Sequence, residues 1–564
     1  MDLSMRQHTL LRRSLCALLL AGLLLFPGVG SFAGEDPENP FVHTEGTGFV
    51  LPGEPYVIRG MAMGNGVWSN PSSAPAGDHG EDSFRELAEL GFNSVRFYLN
   101  YALFESDASP YEYRQEGFDW IDLNLSWAKA NGIRLILNMH YPQGGYQSQG
   151  NGDKLWNVPE NRERLKALWG KIAERYADEE GIIGYGLVNE PIPVGETDAR
   201  DGLRVWQELA QEIAGEIRKH DRNHVIFVEK VLGVKASGGG ETDWSLPFAE
   251  QFVTIEDENT AYEFHTYDPH SYTHQGFDWA GTAGTASAYP NDDLYVSGAS
   301  WLSFTAANRA KPGAAGWQAI ESRLVTVTNP QANTVALCFQ ASNIGKDGCV
   351  YADDLYIDVY GEDGNLIRSV PCETAEYHGA FSFWAQNGKG SGKPDTSTGY
   401  DDRHSLRIRG TTGDANMTLI RLAHTQGQKY KVRGQILAEN ATAASTVTLR
   451  LDAFHAQTVS EGSRNLLRQS VADARAVSEQ LGRPLYCGEF GAGIHCFEKD
   501  RGGAQWVSDC IAFLEEAGIS LNYHSFYDGS FGLYYDLNGR RVRNDALAEV
   551  FTSCFAGEPA GNKE

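Results

Sequence analysis

From about residue 55 the chain alternates short apolar runs with stretches of helical period. The apolar runs predict strands over Tyr56–Met63, Asn93–Tyr98, Arg134–Met139, Ile182–Val188, His224–Glu229 and Thr260–His265. Between them, apolar positions recur every three to four residues over Asp82–Leu90, Trp120–Ala130, Asn161–Tyr176 and Gly202–His220, predicting amphipathic helices. Gly91 and Gly132 follow two of these helices directly, as a left-handed cap requires. Repeated strand–helix units imply a parallel sheet. Near residue 283 the helical period is lost, and alternating strands run to about 455: Ser322–Val327, Thr334–Ala341, Val350–Tyr360, His404–Arg409, Met417–Leu422, Lys429–Ile436 and Ser445–Leu451. Gly/Asn/Asp turns between them mark an all-β sandwich. The helix–strand rhythm then resumes, with helices over Ser460–Gln480, Trp506–Ala517 and Asn544–Phe551 and strands over Pro484–Gly488 and Ser520–Phe526.

Eight strands result. The fold class is therefore α/β: a (β/α)8 TIM barrel of about 350 residues, a size such barrels reach, with an all-β sandwich inserted between strand 6 and helix 6. An open doubly wound sheet ranks lower, because no Gly-rich phosphate loop opens a helix. The boundaries are a first barrel part over 34–282, the insert over 283–455, a second barrel part over 456–556 and a polar tail over 557–564.

The first residues fall outside this fold. Arg6, Arg12 and Arg13 precede an apolar run from Leu15 to Phe26, and small residues end at Ala33. This reads as an export signal over 1–33, too short to span a membrane comfortably. A secreted, periplasmic or cell-surface location is expected, with no membrane attachment once the signal is cut. Beyond it seven cysteines remain, and Cys338–Cys349 and Cys510–Cys554 are candidate bridges. The 564 residues carry 74 Asp+Glu against 47 Lys+Arg, a net charge of −27 that argues against nucleic-acid and anionic-membrane partners.

Barrel chemistry sits at the C-terminal strand ends. Asn189 and Glu190 close strand 4, and Glu489 closes strand 7. Arg96, His140, His265 and Tyr267 stand at the ends of strands 2, 3 and 6. Glycosidic cleavage needs one carboxyl to protonate the leaving oxygen and one carboxylate to attack or stabilise the anomeric carbon. Strands 4 and 7 face each other across a barrel, so one cleft can hold the pair. Arg96 and the Tyr267 hydroxyl would keep Glu489 ionised. Trp68 and Trp156 lie in mouth loops where a sugar platform or plain packing would both fit, and Asp268 and His270 fall in the loop after strand 6.

The stretches Ser94–Tyr98, Asn138–His140, Leu187–Pro191, Phe264–Gly276 and Gly488–Gly491 together resemble family-5 glycoside hydrolases, the cellulase-like clan of retaining β-glycanases. The resemblance implies Glu190 as acid/base, Glu489 as nucleophile and Asn189 on the sugar 2-hydroxyl. It implies Arg96 and Tyr267 as holders of the nucleophile, and His140 and His265 as lining for the subsite of the cleaved sugar. That family commonly carries a Trp at the end of strand 8; here Phe526 or His524 takes its place. The expected substrate is a β-1,4-glucan or mixed-linkage glucan, with mannan, xylan or another, exo-cleaved β-glycoside as alternatives. A binding-only protein and a transglycosylase share the same residues. No organic cofactor or metal is implied, the partner is a polysaccharide or oligosaccharide, and a monomer is expected.

Within the insert, Gly316–Tyr360 and His404–Phe454 resemble the jelly-roll carbohydrate-binding modules of families 4 and 9. The two pieces stand in reversed order, which implies a circular permutation. Trp301, Trp317, Phe381, Phe383 and Trp384 are the aromatics that would stack on sugar, and Asp353–Asp354 are the insert's candidate calcium pair.

Overall fold

The computed structural model describes residues 39–64, 66, 72–238, 240–372 and 382–556. The export segment, Trp68, Phe381 and the polar tail lie outside the described residues. Eight parallel strands close into a barrel: β1 (Arg59–Met63), β2 (Ser94–Asn100), β3 (Arg134–Tyr141), β4 (Ile182–Gly186), β5 (Val225–Glu229), β6 (Thr260–Thr266), β7 (Leu485–Phe490) and β8 (Ser520–Tyr523). β8 pairs with β1 and closes the ring. β2, β4, β5, β7 and β8 are buried along their whole length, as strands covered on both faces must be.

Amphipathic helices cover the outside. Glu81–Glu89 buries Phe84 and Leu87, and Gly202–Ile217 buries Val205, Trp206, Leu209 and Ile213. Gly91 does end the first of these in the left-handed region, at φ 91°. A Cβ there would meet Phe555 Cβ at 2.6 Å, so this glycine also lets the last helix, Asp545–Phe555, pack close. One connection departs from the helical rhythm. Among the described residues no α-helix lies between β5 and β6; a short 3-10 turn over Phe248–Gln251 stands there. Gly238, Gly240 and Pro247 interrupt any helical run in that stretch.

Between β6 and the helix Ser463–Leu481 the chain makes two facing antiparallel sheets. One orders Ser300–Ala306, Thr446–His455, Thr334–Ser342, Asp414–Ala423 and Ser382–Ala385 side by side. The other orders Trp317–Glu321, Lys429–Leu437, Cys349–Tyr360, Ser405–Arg409 and Ser391–Asp395. Strict alternation along Lys429–Leu437 sends Tyr430, Val432, Gly434 and Ile436 inward. They meet Leu337, Phe339, Ile357, Ile408, Met417 and Leu449 in a core separate from that of the barrel. This is the all-β sandwich interrupting a (β/α)8 barrel that the hydrophobic pattern predicts.

Two details differ from the pattern. The strand expected over Ser322–Val327 is split into Trp317–Glu321 and Val325–Thr326. The Ser322 hydroxyl accepts the Val432 N–H at 3.0 Å, taking the place of a ladder carbonyl. The helix expected from Ser460 starts at Ser463, because Thr458–Glu461 pairs antiparallel with Leu294–Ser297. That two-stranded ribbon brings the two ends of the sandwich together, which is what insertion into one loop needs.

The candidate bridges are not formed. All seven described cysteines are free thiols. Cys338 and Cys349 belong to opposite sheets of the sandwich, and Cys554 Sγ lies instead 3.8 Å from the Ser508 hydroxyl.

Candidate active site

A cavity of about 620 Å³ opens at the C-terminal end of the barrel strands. Glu190 and Glu489 both line it, with His140, Asn189, Tyr267 and His524. Aromatic side chains from the loops, Tyr146, Trp244, Trp279 and Phe531, make its apolar walls.

Each carboxylate is aimed by its backbone. In β7 the pairing with β6 shifts between Cys487 and Glu489, so Gly488 is an extra, bulged residue. A bulge re-aims the next side chain, and here it turns Glu489 toward the mouth. Only glycine fits at the bulge: a Cβ on Gly488 would lie 1.7 Å from Glu263 Oε1. Glu190 follows the end of β4 with φ 44°, in the left-handed region. A ligand oxygen from each carboxylate and a ring nitrogen of His265 all lie within 4.8 Å of one another. A retaining pair of carboxyl groups stands about 5–5.5 Å apart, whereas an inverting pair leaves about 6.5–9.5 Å for a water.

Glu489 is buried and held by donors on both oxygens. Arg96 Nη1 donates to Oε1 at 2.9 Å and the Tyr98 hydroxyl to the same oxygen at 2.8 Å. The Tyr267 hydroxyl donates to Oε2 at 2.8 Å. Burial alone would raise its pKa; His265, His524 and Arg96 outweigh it and hold the carboxyl well below its usual range. Burial, reinforced by the same negative charge, pushes the Tyr98 and Tyr267 hydroxyls well above theirs, so both stay protonated donors.

Glu190 Oε1 lies 2.9 Å from His265 Nδ1, and its main-chain N–H donates to Glu229 Oε2 at 2.9 Å. Asn189 is oriented by Arg96, whose Nη2 donates to Asn189 Oδ1 at 2.8 Å. The Asn189 amide nitrogen reaches Ser148 Oγ at 3.3 Å. The His140 ring stacks on Tyr98 with centroids 3.9 Å apart, and burial keeps its imidazole well below the usual range and hence neutral.

Several expected roles are therefore refined. Arg96 and His265 touch the glutamates but do not line the cavity; they set the carboxylates, with Arg96 also 2.7 Å from Glu263. Phe526 is not a sugar contact. It is 2% exposed and packs on Tyr534 in the barrel core, because β8 ends at Tyr523 and the chain has turned inward by 526. His524 stands in the cavity wall instead, its Nδ1 2.9 Å from the Tyr98 hydroxyl. Trp156 is core, edge-on to Trp206, with its indole N–H given to Gln147. His270 does line the cavity, stacked on His274, while Asp268 accepts from Ser470 at 2.6 Å. Asp353 accepts the N–H groups of Asp354 and Tyr400 within the sandwich. Sequence reasoning missed Tyr98, Glu229 and Glu263, and the loop aromatics Tyr146, Trp244, Trp279 and Phe531. Tyr98 lies two residues after Arg96 on the same face of β2, the one signal that pointed to it.

Fold and site define a (β/α)8 barrel with two carboxylates facing each other in its mouth. Residues 50–309 match the family model described as Cellulase (glycosyl hydrolase family 5). Glu190 lies inside that span and Glu489 beyond it. The chain is 29% identical to Endoglucanase C of Acetivibrio thermocellus over 203 residues, 36% of this chain and 54% of that protein. It is 31% identical over 189 residues to Beta-xylosidase of Phanerodontia chrysosporium, 32% of this chain and 35% of that one. The chain thus spans about half the length or less of these curated relatives. Among solved structures, Thermotoga maritima Cel5A in complex with cellobiose aligns with TM-score 0.45 and 17% identity, covering 88% of this chain and 97% of the other.

Proposed function

We propose that this protein is a retaining β-glycanase that cleaves β-1,4-linked or mixed-linkage glucan within the chain. The observation that carries the reading is the pair Glu190 and Glu489, facing each other within 4.8 Å, one of them held ionised. Glu489 attacks the anomeric carbon while Glu190 gives its proton to the leaving oxygen, and a glycosyl–enzyme ester forms. Glu190 then takes a proton from water, whose oxygen displaces Glu489 from the anomeric carbon and restores both carboxyls. Asn189 donates to the sugar 2-hydroxyl, and neutral His140 accepts or donates beside it. Aromatic walls and few charges suit the apolar faces of neutral pyranoses. The likeness to Endoglucanase C supports glucan; the likeness to Beta-xylosidase supports exo-cleavage of a β-xyloside as the second reading.

The basic and apolar start of the chain supports export. The sandwich supplies a second glycan contact in this reading. A register shift between Trp301 and Ser303 puts Trp301 and Phe304 on one face of an edge strand, 53% and 48% exposed. Trp384 is also exposed, whereas Phe383 packs against the sandwich core and Trp317 packs edge-on to Tyr400. Hydrolysis assays on carboxymethylcellulose, barley β-glucan, mannan, xylan and aryl β-glycosides test the reading, with the Glu190→Gln/Glu489→Gln protein as blank. Glucan cleavage absent from the blank supports it; equal rates in both contradict it.

A further inference from the structure

The catalytic pair does not use Glu229, yet Glu229 is buried 3% exposed directly beneath it, at the end of β5. Its Oε2 accepts the main-chain N–H of Glu190 at 2.9 Å. Its Oε1 faces His265 Nε2 at 3.4 Å, and the other nitrogen of that ring lies 2.9 Å from Glu190 Oε1. Glu229 thus holds Glu190 at its backbone by a hydrogen bond, and the His265 ring lies between the two carboxylates, within ion-pair distance of each, with Glu263 also 3.6 Å from its Nε2. Trp206 secures the base of this arrangement by donating its indole N–H to the Glu229 carbonyl at 2.9 Å.

The grip answers a specific need. A non-glycine residue at positive φ is disfavoured, and a residue before proline is pushed toward extended backbone. Glu190 precedes Pro191 and still sits at φ 44°. Something outside its own preference must hold it there. We propose that Glu229 is a positioning residue for the acid/base: it clamps the Glu190 N–H and so holds the strained Glu190 backbone, fixing the reach of that carboxylate across the cavity to Glu489.

The surroundings suit a clamp that does not depend on a net charge. Glu229 faces His265 and Glu263 from β6, Arg96 Nη2 from β2 at 3.6 Å, and Glu190 beyond β4, while its neighbour Lys230 is turned onto Gln251. Burial, opposed by His265 and Arg96 and reinforced by Glu263 and Glu190, pushes the Glu229 carboxyl up to about 8. In either protonation state a side-chain oxygen remains to accept the Glu190 N–H.

The inference rests on Glu190 being the acid/base, and the test separates the two. Glu229→Leu, Glu229→Asp and Glu229→Gln are compared on barley β-glucan at pH 6, and the Leu and Asp variants are crystallised. Loss of the clamp is expected to cut kcat about a hundredfold with little change in KM, as an ångström-scale misplacement does. Gln, which keeps the acceptor, is expected to recover most of that loss, and Asp, one methylene short, to fall between. In the crystals Glu190 is expected to leave the left-handed region and to part from His265. The Asp variant serves if the Leu variant does not fold. An unmoved Glu190 in the crystals, or kcat equal in Leu and Gln, overturns the clamp. A wild-type protein inert on every glycan overturns the proposed function instead, and the crystals still decide the clamp.

Discussion

The Tyr98 hydroxyl stands 2.8 Å from Glu489 Oε1 and 2.9 Å from His524 Nδ1. A phenol has one proton. Given to Glu489, it leaves only a lone pair for His524, so His524 must donate from Nδ1. The residue that replaces the strand-8 tryptophan is thereby tied into the hold on the nucleophile. Tyr98→Phe removes one of three short donors to Glu489. The carboxyl now sits well below its usual value of 4.5. Losing a donor to the charged form raises it, so the acid limb of kcat/KM moves to higher pH. Hydrogen bonds to charged groups are worth about 1.5–3 kcal/mol, so a loss of about ten- to a hundredfold in kcat is expected. A pH–rate profile from pH 3 to 8 checks it; an unmoved acid limb contradicts the assignment.

Phe526 belongs to the core rather than to a sugar subsite. Phe526→Ala is expected to lower stability by about 3–5 kcal/mol, the usual loss for a buried aromatic. Denaturant unfolding measures it. KM for soluble glucan below the melting range stays near the wild-type value, and a large rise in KM would restore Phe526 to the binding surface.

Trp244 and Trp279 are 55% and 57% exposed although they line the cavity. Such exposure is costly unless a ligand covers it. Each Trp→Ala change is expected to raise KM for oligosaccharides by about tenfold, from lost ring contact. Turnover of a short aryl glycoside, which does not reach both rings, falls less. Equal effects on long and short substrates would argue for a structural role.

All seven described thiols are expected to react with a disulfide-exchange reagent in denaturant without prior reduction. In the native protein Cys338 reacts slowly, since burial pushes its thiol up to about 12. Fewer than seven reactive thiols after denaturation would show a bridge that the fold does not contain.

Trp301→Ala is expected to weaken binding to insoluble glucan while leaving kcat/KM on soluble glucan within about twofold, since a side chain outside the catalytic cavity adds no transition-state contact. A pull-down on cellulose beside a soluble assay separates the two effects.

The barrel was legible because strands buried on both faces read as apolar runs and their helices as amphipathic ones. Glu190 and Glu489 were legible because each interrupts such a run at its end. Glu229 also ends such a run and Glu263 interrupts one in mid-strand, but a single acidic residue in a strand gives no hint that it sits beneath another strand's carboxylate. The aromatic loop walls of the cavity were not legible. Trp244, Trp279 and Phe531 come from three loops and meet only through barrel closure. Phe526 misled for the opposite reason: three residues after the last strand, spacing alone cannot tell a wall from the core behind it.

The central claim is that Glu489 forms a bond to the sugar. A 2-deoxy-2-fluoro-cellobiosyl fluoride slows both steps and traps the ester, which peptide mass spectrometry can locate. The account predicts one adduct per chain, on the peptide containing Glu489, and none in Glu489→Gln. An adduct on another residue, or a turnover product of inverted anomeric configuration with no adduct, would contradict it.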